Sequence, residues 1–345
     1  MKFTSLSFVG LGCLLGLSSI GCGSDASTGS SSTPEPTGDK PAPAAPTALP
    51  PITTSGLAEI SGTSADNIWA VGSKGTTVHY DGKKWTLFPT DTTENLLGVY
   101  TSGKGDAWAV GDTEVLLRWD GTAWSQVVAS STGVLIGVWG SGGSDVWAVG
   151  SDEGSAFFRR WDGSSWQYNW LDVEPTFWDV WGSGPTDVWT VGTASPTTGN
   201  IYRYDGTQLN GMDFNGPPLR SINGISSNDV WVVPQASPVQ HWDGSTWTTP
   251  DSPPLDQTLF DVWAAAADDV WACGTGGQMM HFDGTSWTNV DVGVKGTLQG
   301  IWGAAADDVW AVGALGIILH YDGKSWTSVF TPVPPAMMTA TDGTN

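Results

Sequence analysis

Apolar and polar residues alternate in short runs along most of this chain, and Gly, Asp, Ser and Ala punctuate them. That is the pattern of half-buried strands joined by turns, and no helical periodicity competes with it. The last unit, Leu298 to Trp326, reads LQGIWGAAADDVWAVGALGIILHYDGKSW. It predicts four strands: a (LQGIWG), b (DVWAVG), c (GIILHYD) and d, which begins at Trp326. Strand b recurs as DNIWAVG, GDAWAVG, SDVWAVG, TDVWTVG, NDVWVVP, DDVWACG and DDVWAVG, seven copies in all. Its tryptophans are Trp69, Trp108, Trp147, Trp189, Trp231, Trp271 and Trp310, spaced by 39, 39, 42, 42, 40 and 39 residues. A fixed period of about 40 marks a repeat architecture.

Seven units of four short antiparallel strands predict an all-β fold, a seven-bladed β-propeller. One four-stranded blade cannot bury both faces, whereas stacking around an axis covers them and leaves only outer edges exposed. A solenoid of seven units is the alternative. Seven complete in-phase blades are expected, with strand a innermost and Trp326–Phe330 outermost in the last. The rival closure uses Thr47–Thr54 as an extra outer strand of that blade. Asp-Gly precedes strand d in every copy, at Asp81, Asp120, Asp162, Asp205, Asp243, Asp283 and Asp322, and is expected to form a tight type I′ turn with two φ > 0 positions.

Composition changes this picture little. Of 22 tryptophans, seven lie in strand b, six open strand d (Trp85, Trp124, Trp166, Trp247, Trp287, Trp326), four end strand a (Trp139, Trp181, Trp263, Trp302) and three precede Asp-Gly (Trp119, Trp161, Trp242). Blade packing accounts for these, and only Trp170 and Trp178 fall outside the pattern; Leu209 stands where the fourth copy would have its strand-d tryptophan. Thirteen basic against 35 acidic residues, net −22, argue against nucleic acid and anionic membrane surfaces as partners. Three cysteines make no disulfide framework. Cys13 lies in the leader, and Cys273 replaces a repeat valine and reads as an inert buried thiol.

The sequence divides into a signal at 1–21, a tether at 22–51, the propeller at 52–331 and a structureless tail at 332–345. The opening MKFTSLSFVGLGCLLGLSSIGC is too short and too broken by Gly and Ser to span a membrane, and reads as a secretory signal. Ser19-Ile20-Gly21-Cys22 resembles the lipobox of bacterial lipoproteins, with Ser19 where that family usually has Leu. The resemblance implies that Cys22 becomes the first mature residue and carries the lipid; an ordinary signal cleaved near Gly21 or Gly23 is the alternative. Several acyl chains, at about 0.8 kcal/mol per buried CH₂, would anchor the protein stably. The Ser-, Thr-, Pro- and Ala-rich stretch that follows cannot bury a core and is expected to be a disordered tether. Lipid, tether and folded domain make the layout of an envelope display protein, most simply an outer-membrane lipoprotein.

One position recurs before the aromatic-Asp-Gly: His79, Arg118, Arg160, Arg203, His241, His281 and His320. Metal binding fails there, because equivalent positions in radial blades do not converge and Arg does not ligate. The start of strand b carries Asn67, Asp106, Asp145, Asp187, Asp229, Asp269 and Asp308, 12 residues earlier in five copies and 15 and 16 in the third and fourth. In an antiparallel pair these positions face each other, which predicts one structural cross-strand Asp/Asn–His/Arg pair per blade, worth roughly 0.2–1 kcal/mol if exposed.

The Asp-Gly-x-x-Trp element resembles the Asp-box of sialidase-like and photosystem-assembly-type propellers, although His or Arg and an aromatic precede the Asp where that family has Ser or Thr. The whole repeat more closely resembles the DVWAVG…DG..W repeats of secreted myxobacterial propeller lipoproteins. That likeness implies a fold and an envelope setting and little about ligand. Outside the ring position only Arg159 and Arg220 remain, so a sialidase arginine triad is not available, and no Ser-His-Asp set can be assigned. No cofactor or metal site is expected.

Comparing the copies locates binding. The a–b loops and c–d turns are nearly uniform and share one face. The b–c loops and d–a crossovers vary and share the other, including SDEGSA at Ser151–Ala156, TASPTTGN at Thr193–Asn200, and the crossovers Gln167–Asp179, Asn210–Arg220 and Thr248–Phe260. Variable loops are where specificity can live. Tyr168, Trp170, Trp178, Phe214 and Arg220 lie there without a repeat-level packing reason, and exposed aromatics beside Arg are interface and sugar-stacking residues. The expected function is a monomeric, non-enzymatic envelope propeller binding protein or glycan through this face, centred on copies three to five. A polysaccharide hydrolase or lyase and a structural adhesin or spacer are the alternatives.

Overall fold

In a computed structural model that describes Thr53 and residues 55–128, 132–171 and 176–330, the protein forms 28 strands in seven four-stranded sheets. The lipidation candidate Cys22, the tether, the tail and most of Thr47–Thr54 lie outside the described residues. Every sheet is built from four consecutive antiparallel strands in the order a-b-c-d, so the last blade, Leu298–Ala305 through Trp326–Phe330, is complete from its own repeat. This is a seven-bladed β-propeller.

Strand b is the buried spine of each blade. In DVWAVG nearly every residue after the first is buried, because both faces of the blade are covered by neighbours. The strand-b tryptophan packs across the seam on the strand-c and strand-d aromatics of the next blade: Trp69 meets Trp119 at 4.9 Å and Trp124 edge-on at 5.0 Å. Cys273 is completely buried in this spine, and burial pushes its thiol well above the ordinary range.

A second seam runs around the central axis. The residue at the end of the strand-a core points at the next blade, where a glycine makes room for it. Trp302 covers Gly62, Tyr100 covers Gly140, Trp139 covers Gly182, Trp181 covers Gly224 and Trp263 covers Gly303; a Cβ on any of these glycines would come within 2.5–2.9 Å of the ring. Two seams are polar instead. Thr101 N donates to Ser61 Oγ at 3.2 Å, and Ala264 N to Asn223 Oδ1 at 3.1 Å.

The Asp-Gly turns differ from the type I′ expectation. The flanking residues pair directly, Tyr80 with Trp85, so the loop holds four residues, Asp81 to Lys84, closed by Asp81 N donating to Lys84 O. Only the glycine takes a left-handed φ, 85° at Gly82. The aspartate contributes its side chain: Asp81 Oδ1 accepts from Lys83 N and Lys84 N, both at 2.9 Å. The same amide bonds recur at the other six aspartates; the hydroxyl of the residue after the glycine, together with these amides, holds Asp120, Asp243 and Asp283 below the ordinary range, at about 2.

The long b–c loops of the third and fourth copies are mostly strand. Strands b and c extend to Asp152 and from Ser155 in blade 3, and to Ser195 and from Thr198 in blade 4. The crossover stretches also contain strand: Trp166–Trp170 and Leu209–Met212 are strands d, while Thr176–Gly184 and Leu219–Ser226 are strands a.

Candidate functional site

A local irregularity in strand a builds the mouth of the central channel. In every blade the a–b register slips by one residue near the start of strand a. The slip is a β-bulge, which leaves one residue unpaired and re-aims its side chain. The seven bulged residues are Ala58, Leu97, Ile136, Trp178, Arg220, Phe260 and Gln299, and all seven line one axial cavity of about 450 Å³. The residue before each bulge repeats closely from copy to copy, Leu in six and Phe in one; the bulged residues do not. The mouth opens on the b–c side of the disc, since Trp178 Nε1 donates to Thr193 Oγ1 at 3.1 Å, in the extended b–c hairpin.

One arc of this ring is chemically distinctive. Arg220, from blade 5, places its guanidinium 5.5 Å from the Trp178 ring of blade 4 and 5.0 Å from the Phe260 ring of blade 6. Such cation–π contacts hold a guanidinium between two neighbours. The other four arginines all have carboxylate partners: Arg118 with Asp106, Arg159 with Glu114, Arg160 with Asp145 and Arg203 with Asp187. Arg220 has none among the described residues, its Nε has no hydrogen-bond partner, and partial burial lowers its pKa. Trp178 remains 36% exposed, so its ring is open to a ligand.

Just past the bulge, at one level of the channel wall, lies a second ring: Glu59, Gly98, Gly137, Asp179, Ser221, Asp261 and Gly300. Its three acids stitch backbone amides. Asp179 accepts from Val180 N at 2.8 Å and, across the seam, Ile222 N at 2.9 Å. Asp261 accepts from Ser221 Oγ at 2.6 Å, Val262 N at 2.8 Å and Ile301 N of the next blade at 2.8 Å. Glu59 accepts from its neighbour Ile60 N at 2.8 Å. Recession into the wall raises all three carboxyls, Asp179 to about 7 and Asp261 to about 6, with mutual repulsion adding for Glu59 and Asp179.

The five candidate binding residues separate into three places. Trp178 and Arg220 meet at the channel mouth, with Phe260 as a third member that the copy comparison left among the crossover residues. Tyr168 and Trp170 lie on the outer strand d of blade 3, stacked on each other at 5.8 Å and on the buried Phe157 at 5.2 and 6.0 Å, and 45% and 47% exposed. Beneath them the Arg159 guanidinium lies 4.7 Å from the Tyr168 ring, tied to the buried Glu114. Phe214 is half-buried in the crossover to blade 5, edge-on to Trp247 at 6.0 Å. The signal that would have found Phe260 is positional: alignment of the copies on strand b puts it directly after the Leu or Phe that recurs near the start of strand a, in register with Trp178 and Arg220.

The Asp/Asn–His/Arg ring belongs to the opposite side. Its hydrogen bonds are Asn67–His79 at 2.9 Å, Asp106–Arg118 at 2.8 Å, Asp145–Arg160 at 2.9 Å, Asp187–Arg203 at 2.5 Å, Asp229–His241 at 2.9 Å, and Asp269–His281 and Asp308–His320 at 2.7 Å. Each His or Arg also covers the strand-b tryptophan of its own blade, as His320 does Trp310 at 4.0 Å and Arg203 does Trp189 at 4.6 Å. The pair orients the cap on the buried indole. Among the described residues no group of three or more His, Cys, Asp and Glu is placed to hold a metal ion.

No protein-family model and no curated protein matches this sequence. Solved structures do. A YCF48 bound to a D1 peptide is 17% identical with a TM-score of 0.63, covering 79% of this protein and 94% of that one. YCF48 from Cyanidioschyzon merolae is 18% identical with a TM-score of 0.64, covering 79% and 97%. A catalytically inactive virginiamycin B lyase from Staphylococcus aureus with quinupristin is 12% identical with a TM-score of 0.66, covering 77% and 94%. At these identities the likeness is one of fold: this protein shares the β-propeller architecture of all three.

Proposed function

We propose that this protein is a non-catalytic binding propeller of the cell envelope, which engages a protein or glycan partner through the channel mouth on its b–c face. The observation that carries the reading is Arg220, the one arginine of five without a carboxylate partner among the described residues, held between Trp178 and Phe260 over a cavity. In a protein of net charge −22, a guanidinium so placed is an anion receptor, suited to bidentate contact with a carboxylate. The partner group is therefore an acidic side chain, the terminal carboxylate of a polypeptide or a uronic acid. Aromatic rings on either side supply apolar contact area, the composition of binding hot spots. A propeller of the same fold has been seen with a peptide bound, which supports a peptide ligand. The binding reading is also supported by the four histidines, each of which is engaged with an Asp or Asn and a tryptophan.

Display follows from the first residues of the sequence. Lipid on Cys22 and a Ser/Thr/Pro-rich tether would hold the propeller off a membrane surface, and the likeness of the repeat to secreted myxobacterial lipoproteins supports that setting. The test of binding screens the full-length protein, Arg220→Gln and Trp178→Ala against acidic-peptide and uronate-containing glycan arrays. A ligand of the parent that loses about 2 kcal/mol of affinity in either variant, without chemical turnover, supports the proposal. Ligands retained equally by both variants, or a glycan that is cleaved, overturn it.

A further inference from the structure

At five seams the indole that opens strand d of one blade meets the strand-b indole of the preceding blade edge-on. The pairs are Trp85–Trp310, Trp124–Trp69, Trp166–Trp108, Trp287–Trp231 and Trp326–Trp271, with ring centroids 5.0–5.8 Å apart and planes at 70–84°. Trp247 lies in the same cluster as Trp189 at the sixth. Only the seam between blades 3 and 4 lacks the indole, because Leu209 stands in its place. Trp147, whose edge the missing ring would meet, keeps its other neighbours: Tyr204 at 5.0 Å, Phe158 stacked at 5.0 Å and the Arg160 guanidinium at 4.9 Å. Leu209 does not fill the space. A groove of about 650 Å³ opens there, lined by Trp147, Phe158, Tyr204 and Leu209 and by polar groups that include Asp145, Arg160 and Gln167.

We propose that this groove is a second binding site, distinct from the channel mouth, which receives a tryptophan side chain presented by a partner polypeptide. The repeat itself argues for the occupant. Elsewhere in this protein the same wall, a strand-b indole beside a strand-c aromatic, is completed by an indole, and edge-on aromatic packing is directional enough to favour that ring. The protein has no spare tryptophan to insert, because all 22 lie within the described residues at assigned positions of the blades. The strands d on either side, Trp166–Trp170 and Leu209–Met212, are outermost in their sheets, so an extended partner segment can lie beside them while its side chain enters the groove.

The experiment uses the full-length protein with 5-fluoroindole and with a fluorinated N-acetyl-tryptophanamide as probes, read by ¹⁹F line broadening. Saturable binding to the parent is expected. Leu209→Trp should fill the groove from within, abolish probe binding and raise the midpoint of thermal unfolding by roughly 2–8 °C, as cavity-filling changes do. Leu209→Ala should keep the probe site, and Arg220→Gln should leave it untouched, which separates this proposal from the channel mouth. Equal probe binding by the parent and Leu209→Trp overturns it, as does a lowered midpoint in that variant. Displacement of the probe by neutral oligosaccharide but not by a tryptophan-containing peptide assigns the groove to sugar and overturns it too.

Discussion

Placing a single methyl group at Gly182 tests the axial seam. A Cβ there would lie 2.6 Å from Cη2 and 2.9 Å from Cζ3 of Trp139 in the preceding blade, and 2.7 Å from the carbonyl oxygen of Asp187. Trp139 packs against the clusters of two seams, and the Asp187 carbonyl belongs to the backbone of the paired strand b. Overpacking of this kind costs about 1–3 kcal/mol. For a domain of this size that is a fall of roughly 2–12 °C in the thermal midpoint. Gly184, two residues along the same strand, is the control, since a Cβ there meets nothing within 4 Å. Midpoints of Gly182→Ala and Gly184→Ala, by calorimetry or circular dichroism, therefore separate steric cost from the loss of a glycine. Combining Gly182→Ala with Trp139→Ser, which imitates the Ser61–Thr101 seam, should cost less than the sum of the single changes, the coupling expected of residues in contact. Equal midpoints for the two alanine variants, or strict additivity in the double change, would refute the packing argument.

Other expectations concern the two faces, the channel wall and the N-terminus. Asp145→Ala leaves Arg160 without its carboxylate and should cost on the order of 1 kcal/mol in urea denaturation while leaving ligand affinity at the channel mouth unchanged. Asp179 is ordinarily acidic at 3.8 and is raised to about 7 by burial, so the native state keeps its proton longer than the unfolded protein; this group's contribution to stability is highest at low pH and declines as pH rises from about 4 to about 7. Replacement by Ser, the residue at the equivalent position 221, should flatten stability over that window, by about 1.4 kcal/mol for every tenfold difference in proton affinity that it removes, and unchanged slopes would count against it. Cys22→Ser should move the protein from the membrane to the soluble fraction, and identical soluble fractionation of parent and variant would remove the lipid anchor from the account.

The blades are legible in the sequence because their signals are local and repeated. A tryptophan every 40 residues or so, inside a run of alternating polarity, admits few arrangements, and antiparallel pairing sets His320 opposite Trp310, from where it reaches Asp308 two residues along on the diagonal. Other features depend on packing between blades. The glycine of strand a looks like a weak spot in a strand, yet its cause is a ring some 40 residues away in the neighbouring blade, as with Trp139 over Gly182. The bulge shifts the period of two by one residue, so Arg220 and Phe260, which read as crossover residues, belong to strands that turn them toward the axis. Tyr168 and Trp170 read as loop residues because nothing in the sequence marks where strand d ends. Leu209 is visible as a departure from the repeat, but whether neighbours close over a missing indole is a question of packing that spacing cannot answer.

The most direct measurement of the central claim is a titration of the ¹⁵N-labelled protein, following the indole N–H resonance of Trp178, assigned with Trp178→Phe. Acidic peptides and uronate oligosaccharides are added in turn, with calorimetry reporting overall binding. The account predicts that a binding ligand shifts the Trp178 indole saturably, and that the shift vanishes in Arg220→Gln while the blade tryptophans such as Trp310 stay in place. Calorimetric binding of an anionic ligand with the Trp178 resonance unmoved would place the site elsewhere and contradict the account.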